Sequence, residues 1–100
     1  MEILKPYRTR INELDRQIID LLRQRYDVIE EVGALKAARG IAATLPDRVD
    51  EVRENAAKMA AEKGLDADFI RSLYAQIIEH SCDLEDKIIN AAATDKKQAS

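Results

Sequence analysis

The sequence predicts an all-α protein with three helices, the first of them very long. Only three glycines and two prolines occur in 100 residues, too few turns for a β-sandwich or a β-barrel. Hydrophobic residues make up 46% of the chain but aromatic residues only 4%, so most of the apolar bulk is aliphatic. Apolar residues recur at alternating spacings of three and four, the period of an amphipathic helix. Together these observations favour one small helical domain.

The first helix is predicted from about residue 3 to about residue 38. Its apolar stripe consists of Leu4, Tyr7, Ile11, Leu14, Ile18, Leu21, Val28, Val32 and Leu35. Such a helix is roughly 54 Å long at 1.5 Å per residue, whereas a compact domain of this size has a radius of gyration of about 13 Å. The helix therefore overshoots its own domain. A second copy of the chain, in a two-fold antiparallel or crossed pairing, is the simplest partner for the protruding half.

Glycine and proline mark the limits of the second helix. Gly40 and the small residues around it end the first helix and open a loop. The second helix is predicted to begin at Thr44 or Leu45, with Pro46 in its first turn, where a missing N–H costs little. Gly64 occupies the position that follows the end of a helix.

The third helix is predicted to start after Asp66, which is a suitable N-cap. The helical domain is expected to cover residues 1–90, and residues 91–100, which are small and polar, are expected to form a disordered tail. No second domain is expected. Three larger side chains of the second and third helices are expected in the core: Met59, Phe69 and Tyr74.

Composition argues against several classes of function. The net charge is −3 and the only basic run is Lys96-Lys97, so nucleic-acid binding is not expected. No apolar stretch approaches the roughly 18 residues of a membrane span, and the N-terminus lacks the features of a signal peptide. A single cysteine, Cys82, fits a reducing compartment, and we therefore expect a cytoplasmic protein. His80 and Cys82 do not by themselves form a usual metal site, so no metal is expected.

Arg25 and Lys36 interrupt the apolar face of the first helix. Arg25 lies seven residues after Ile18 and seven before Val32, where a charge costs several kcal/mol unless it is paired. Lys36 follows eleven residues later, about three turns, and shares the same face roughly 16 Å along the axis. Two long cationic side chains that lean toward each other leave room for one small organic anion. The alternatives are a structural ion pair for Arg25 and a solvated helix-end lysine for Lys36.

Arg8 borders the same stripe, but it lies roughly 25 Å from Arg25 along the helix. It cannot reach an anion held by Arg25 and Lys36 of its own chain. In a two-fold pairing, the Arg8 end of one helix can lie beside the Arg25 region of the other. The alternative is an ordinary surface arginine.

Three polar residues on the later helices are further candidates. Arg48 lies in the first turn of the second helix, where the dipole disfavours a cation unless an anion binds there. Its alternative is a surface pair with Asp47 or Asp50. Ser81 interrupts the apolar stripe of the third helix and Glu85 follows one turn later. A back-bonded core serine and a rim carboxylate are the alternatives for these two.

Taken together, the sequence resembles the all-helical chorismate mutases over about residues 4–88. The resemblance rests on an ordered set of segments with matching gaps: Tyr7-Arg8-Thr9-Arg10-Ile11, Leu14-Asp15, Leu21-Leu22-Arg23-Gln24-Arg25, Val32-Gly33-Ala34-Leu35-Lys36, Pro46-Asp47-Arg48, Gly64-Leu65-Asp66 and Ile77-Ile78-Glu79-His80-Ser81. No single segment is specific, but the full set with its spacings is.

The resemblance implies a homodimer whose long first helices swap across two equivalent sites. It implies the rearrangement of chorismate, a dicarboxylate, to prephenate in aromatic amino-acid biosynthesis, without cofactor, metal or covalent intermediate. By residue-wise transfer, Arg8 enters from the other subunit, Arg25 binds a substrate carboxylate and Lys36 donates to the ether oxygen. Arg48 lies near the ring end of the ligand, and Ser81 contributes from the third helix.

Three positions depart from the pattern of many mutases and keep other substrates open. Val49 replaces an acidic residue that usually meets the ring hydroxyl, and Leu45 replaces another. The Arg48-Val49 pair is more similar to the related isochorismate-pyruvate lyases. Glu85 stands where bacterial members often have glutamine. The alternatives are therefore a lyase acting on isochorismate, a mutase of an amino-substituted chorismate, or a non-catalytic helical dimerisation or regulatory module.

Overall fold

A computed structural model describes the backbone of residues 1–99 and the side chains of residues 1–95. A short 3-10 turn, Glu2–Leu4, leads into three helices: α1 (Lys5–Arg39), α2 (Pro46–Glu62) and α3 (Ala67–Ala99). The all-α prediction is confirmed. None of these helices is both long enough and apolar enough to cross a membrane.

The predicted limits of α1 and α2 agree closely with the structure. Gly40 ends α1 with a left-handed backbone, φ 65°, which glycine adopts without the steric cost of a side chain. Pro46 opens α2, and Gly64, with φ 73°, follows its end. At the start of α3, the Asp66 carboxylate accepts a hydrogen bond of 2.9 Å from the Phe69 backbone N–H, which confirms Asp66 as a cap.

The end of α3 differs from the expectation. Where residues 91–100 were expected to form a disordered tail, the structure continues the helix to Ala99, and Ser100 lies outside the described residues. The physical reason is local: Ala91, Ala92 and Ala93 are strong helix formers, and no glycine or proline follows Asn90. The polar, solvated character of the segment was correctly recognised, since residues 91–95 are exposed.

Helix α3 packs against both α1 and α2 and so joins the other two helices. Small residues allow the close approaches. Ala56, Ala57 and Ala60 are the buried residues of α2, and Gly33 is the buried residue of α1. On the outer side, Arg71 of α3 reaches Glu54 of α2 at 3.0 Å. Hydrogen bonds from Arg71 and Arg53 lower the pKa of Glu54 below its ordinary value.

Gly33 marks a close approach of α1 to α3, and replacing it is expected to destabilise the fold. A Cβ at this position would lie 2.9 Å from Ile88 Cδ1 and 3.4 Å from Ile88 Cβ. We expect Gly33→Val to lower the free energy of unfolding by about 1–3 kcal/mol through overpacking. The neighbouring, exposed Ala34→Val is the control for β-branching in a helix. Equal urea midpoints for the two variants would contradict the contact.

The first half of α1 extends away from the rest of the chain. All of residues 1–20 are exposed, and the molecule measures 65 × 28 × 15 Å with a radius of gyration of 18.0 Å. A row of large apolar side chains on this segment therefore faces solvent in a single chain, namely Tyr7, Ile11, Leu14 and Ile18. Met59 and Phe69, which were expected in the core, are also exposed. The protrusion of the first half of α1 agrees with the length argument, whereas the exposure of Met59 and Phe69 corrects the prediction that they lie in the core.

Candidate active site

The three helices surround a cavity of about 490 Å³. This volume falls within the range of small-molecule sites. Of the residues that the sequence singled out, the structure brings seven to its wall: Arg25, Lys36, Leu45, Arg48, Val49, Ser81 and Glu85. Arg8 is not among them.

Arg25 joins α1 to α3 at the wall of the cavity. Its Nη1 donates a hydrogen bond of 2.9 Å to Ser81 Oγ, which in turn donates to the carbonyl of Ile77 at 2.7 Å. Ser81 is buried, and its hydroxyl bonds back to the preceding turn of α3. This is the bond expected if Ser81 is a core serine. Among the described side chains, no carboxylate lies within ion-pair distance of Arg25. Within a single chain, the structural ion pair considered for Arg25 is therefore not formed.

Lys36 and Glu85 form a buried ion pair on the same wall. Lys36 Nζ lies 2.7 Å from Glu85 Oε1, and the two side chains are 14% and 6% exposed. Lys36 also donates a hydrogen bond of 2.8 Å to the carbonyl of Ala43, in the loop between α1 and α2. Glu85 Oε1 thus has the Lys36 ammonium as its charged partner. Removing either member of the pair would leave an uncompensated buried charge, which is strongly destabilising.

Arg48 lines the cavity from the first turn of α2, but it points its charge outward. Its Nη1 pairs with the carboxylate of Glu51, one turn further along the helix, and both side chains are exposed. Arg48 thus forms a surface ion pair, which was the alternative to a role in ligand binding, but its partner is Glu51 and not Asp47 or Asp50. Because exposed pairs of this kind contribute little free energy, Arg48 can turn toward an anion at small cost.

The electrostatics of the cavity favour an anionic ligand. Three cations, Arg25, Lys36 and Arg48, line it together with one carboxylate, Glu85. The rest of the lining is largely aliphatic, with Val28 and Val32 from α1 among its members. Fixed cations in an apolar surrounding interact more strongly with a carboxylate than they do in water. The arrangement suits an organic acid that carries more than one negative charge.

Arg8 lies on the exposed first half of α1, beside Lys5 and Asn12, in a separate surface depression. Seventeen residues of one continuous helix separate it from Arg25. As expected, it does not reach the cavity of its own chain.

Two lining elements were missed by the sequence analysis. The Ala43 carbonyl holds Lys36, but a backbone oxygen in a loop leaves no signal in the residue pattern. Cys82 lines the cavity next to Ser81. Cys82 lies three residues before Glu85, so both side chains are on one side of α3. This spacing could have identified Cys82 as a lining residue from the sequence. Tyr26 and His80, which flank Arg25 and Ser81 in sequence, form a second bridge between α1 and α3, with Tyr26 Oη 2.8 Å from His80 Nδ1.

The chain matches a protein-family model described as chorismate mutase type II over residues 7–86. The matched segment contains every residue that the sequence analysis assigned to the site, from Arg8 to Glu85.

Three curated proteins are similar over most of the chain. A 4-amino-4-deoxychorismate mutase of Streptomyces pristinaespiralis is 36% identical over 86 residues, 86% of this chain and 67% of that protein. A 4-amino-4-deoxychorismate mutase of Streptomyces venezuelae is 33% identical over 87 residues, 87% of this chain and 84% of that protein. An isochorismate pyruvate lyase of Pseudomonas aeruginosa is 36% identical over 75 residues, 75% of this chain and 73% of that protein.

Proposed function

Because the chain belongs to the chorismate mutase type II family, we propose that it rearranges chorismate to prephenate in the biosynthesis of phenylalanine and tyrosine. The family resemblance seen in the sequence is confirmed, and the protein is an isomerase rather than a non-catalytic helical module. Because Cys82 is the single cysteine of the sequence, the cytoplasm remains the compartment that we predict for the protein.

The chemistry matches what the cavity offers. The rearrangement breaks the ether C–O bond and forms a C–C bond within one molecule, so no electrons, protons or groups are exchanged with a second reactant. The protein has to hold the reactive diaxial conformer and stabilise the negative charge that develops on the ether oxygen. Fixed cations in a cavity with a largely aliphatic lining meet both requirements.

The observation on which the proposal rests is the distribution of charge on one wall. Among the described residues, Arg25 has a hydroxyl partner but no carboxylate partner, so its positive charge is available to a substrate carboxylate. Lys36 is held by the Ala43 carbonyl and Glu85, and we assign it the role of donor to the ether oxygen. Arg48 serves the second carboxylate at the ring end after it leaves Glu51. Ser81 orients Arg25.

We also propose that the active form is a homodimer in which Arg8 completes the site of the other subunit. Two observations support it. The exposed apolar row that begins at Tyr7 needs cover, and a second α1 in antiparallel or crossed pairing supplies an apolar surface of the same kind. Arg8 lies roughly 25 Å along the helix from Arg25, a separation that only a second chain can close.

A second candidate substrate is 4-amino-4-deoxychorismate, in which an amino group replaces the ring hydroxyl. Two relatives bear that substrate in their names. The cavity wall at Leu45 and Val49 also lacks the acidic side chains that many mutases carry there. The isochorismate lyase reaction of the third relative is the remaining alternative.

A parallel product assay separates these candidates. Purified protein is incubated with chorismate, isochorismate and 4-amino-4-deoxychorismate, and the products are identified by mass and NMR. A rearranged isomer of chorismate supports the proposal, whereas pyruvate released from isochorismate with little prephenate identifies a lyase. Turnover of the amino compound alone assigns the chain to the second candidate.

Glu85 is expected to act on the ether oxygen from its position beside Lys36. Its carboxylate lies 2.7 Å from Lys36 Nζ, where it repels the negative charge that develops on the ether oxygen. Glu85→Gln keeps the size of the side chain but replaces the charge by an N–H donor, so it should raise kcat/KM by about tenfold. The matched control is Glu79→Gln, an exposed position six residues earlier on α3, which should leave kcat/KM unchanged. Equal kcat/KM values for wild type and Glu85→Gln would remove Glu85 from the mechanism.

A further inference from the structure

The cavity has two chemically different walls. The wall formed by α1 and α3 carries the hydrogen-bonding groups Arg25, Lys36, Ser81 and Glu85. The opposite wall, formed by the start of α2 and the residue before it, presents the aliphatic side chains of Leu45, Val49 and Val52. Arg48, the one polar side chain of that wall, is turned to Glu51. A ligand therefore finds several directional partners on one side, and on the other side apolar contacts together with the Arg48 guanidinium.

The position of Lys36 indicates which part of a substrate meets the apolar wall. Lys36 Nζ lies 2.8 Å from the carbonyl of Ala43, and Leu45 follows two residues later. Val49 is the next residue along the same face, since its backbone N–H donates to the Leu45 carbonyl at 3.0 Å. In chorismate, the carbon that bears the 4-substituent is bonded to the carbon that bears the ether oxygen. With the ether oxygen at Lys36, the 4-substituent is one ring carbon away, and we orient it toward Leu45 and Val49, the lining residues that follow the Ala43 loop.

We infer that Leu45 and Val49 make this site tolerant of the 4-substituent, so that it accepts both the 4-hydroxy and the 4-amino form of the substrate. The inference rests on the proposed function and defines its substrate class. A site that binds a polar group through dedicated hydrogen bonds rejects analogues by about 10⁴–10⁵-fold, whereas an apolar wall discriminates by only about 10²-fold. The side chains of Leu45 and Val49 contain no hydrogen-bonding group. Exchanging the 4-hydroxyl for a 4-amino group therefore leaves no donor or acceptor of these residues without a partner.

The apolar wall is partly open to solvent. Leu45 is 41% exposed in the single chain, so a hydroxyl or an ammonium beside it stays within reach of water. The 4-substituent then keeps part of its hydration, which lowers the desolvation cost that burial of an ammonium would otherwise impose. Glu85, the one carboxylate of the cavity wall, lies on the other side and pairs with Lys36. The charge on the wall formed by the start of α2 is the Arg48 guanidinium, which is paired with Glu51, so this wall offers no carboxylate that would select the amine over the alcohol.

The test is a comparison of kcat/KM for chorismate and for 4-amino-4-deoxychorismate with the wild-type protein. We expect both to be turned over, with values within about 100-fold of each other. Val49→Asp adds a carboxylate to the wall and should shift the ratio toward the amino substrate by at least about tenfold. Asn55→Asp adds the same charge at an exposed position of α2 outside the cavity, and it should leave the ratio unchanged.

The outcomes separate the inference from the proposed function. A wild-type preference above about 10³-fold for either substrate overturns the inference and leaves the isomerase assignment intact. An equal shift for Val49→Asp and Asn55→Asp also overturns it, because the apolar wall then has no special role. If Val49→Asp does not fold, the neutral polar variant Val49→Asn replaces it in the test. This variant should raise the selectivity between the two substrates. Failure to turn over either compound contradicts the proposed function instead.

Discussion

Replacing Arg25 by alanine is expected to lower kcat/KM by about 10³-fold while the protein remains folded, because the variant removes a fixed cation from a partly desolvated site. Within residues 1–95, whose side chains the structure describes, the Ser81 hydroxyl is the one side-chain partner of Arg25. Ser81 keeps its bond to the Ile77 carbonyl when Arg25 is gone, so no buried hydroxyl is left unsatisfied. Steady-state kinetics and thermal unfolding, with and without a dicarboxylate ligand, measure the two effects separately.

Arg23 offers a matched control on the same helix. Its guanidinium is exposed and bonded to Asp27 and Glu30, whose hydrogen bonds raise its pKa above the ordinary value. Arg23→Ala removes one arginine and two surface pairs, and it should change kcat/KM little. If Arg25→Ala instead unfolds the protein or dissociates its oligomer, Arg25 serves the structure and the assignment to substrate binding is wrong.

Mixing two inactive variants is expected to restore activity. Arg8→Ala and Arg25→Ala should each be inactive as homodimers, because every site then lacks one arginine. In a mixed dimer, the intact Arg8 of one chain meets the intact Arg25 of the other at one of the two sites. Random re-association of equal amounts makes half of the dimers mixed, so about a quarter of the wild-type activity should return.

The control for this experiment combines Arg25→Ala with Lys36→Ala. Both residues line the cavity of their own chain, so a mixed dimer of these variants has no intact site. No activity should return after mixing. Recovery in this control, or none with Arg8→Ala and Arg25→Ala, would contradict a site completed by Arg8 from the second subunit.

The helical framework was predictable because it depends on local rules. The three-four apolar spacing of α1 and the turn residues Gly40, Pro46 and Gly64 act within a few residues of chain, and the structure follows them. The end of α3 was not predicted, since small polar residues after Asn90 were interpreted as a tail although alanines favour helix.

The site was predictable where it depends on helical geometry and not where it depends on packing. The eleven-residue gap between Arg25 and Lys36 places both on one face, and both line the cavity. Their partners were less accessible to sequence reasoning. The pair of Lys36 with Glu85 and the bond of Lys36 to the Ala43 carbonyl arise from the docking of α3 and of a loop onto α1. The Arg48 to Glu51 pair depends on which rotamers two exposed side chains adopt.

The most direct test of the account is the product formed from chorismate by the purified protein in a cofactor-free buffer that contains a metal chelator. We expect saturable turnover that yields one prephenate for each chorismate consumed, with no release of pyruvate. The protein concentration is kept high enough for the chain to be fully dimeric. Under these conditions, unchanged chorismate over the same period would contradict the assignment of Arg25 and Lys36 to this rearrangement.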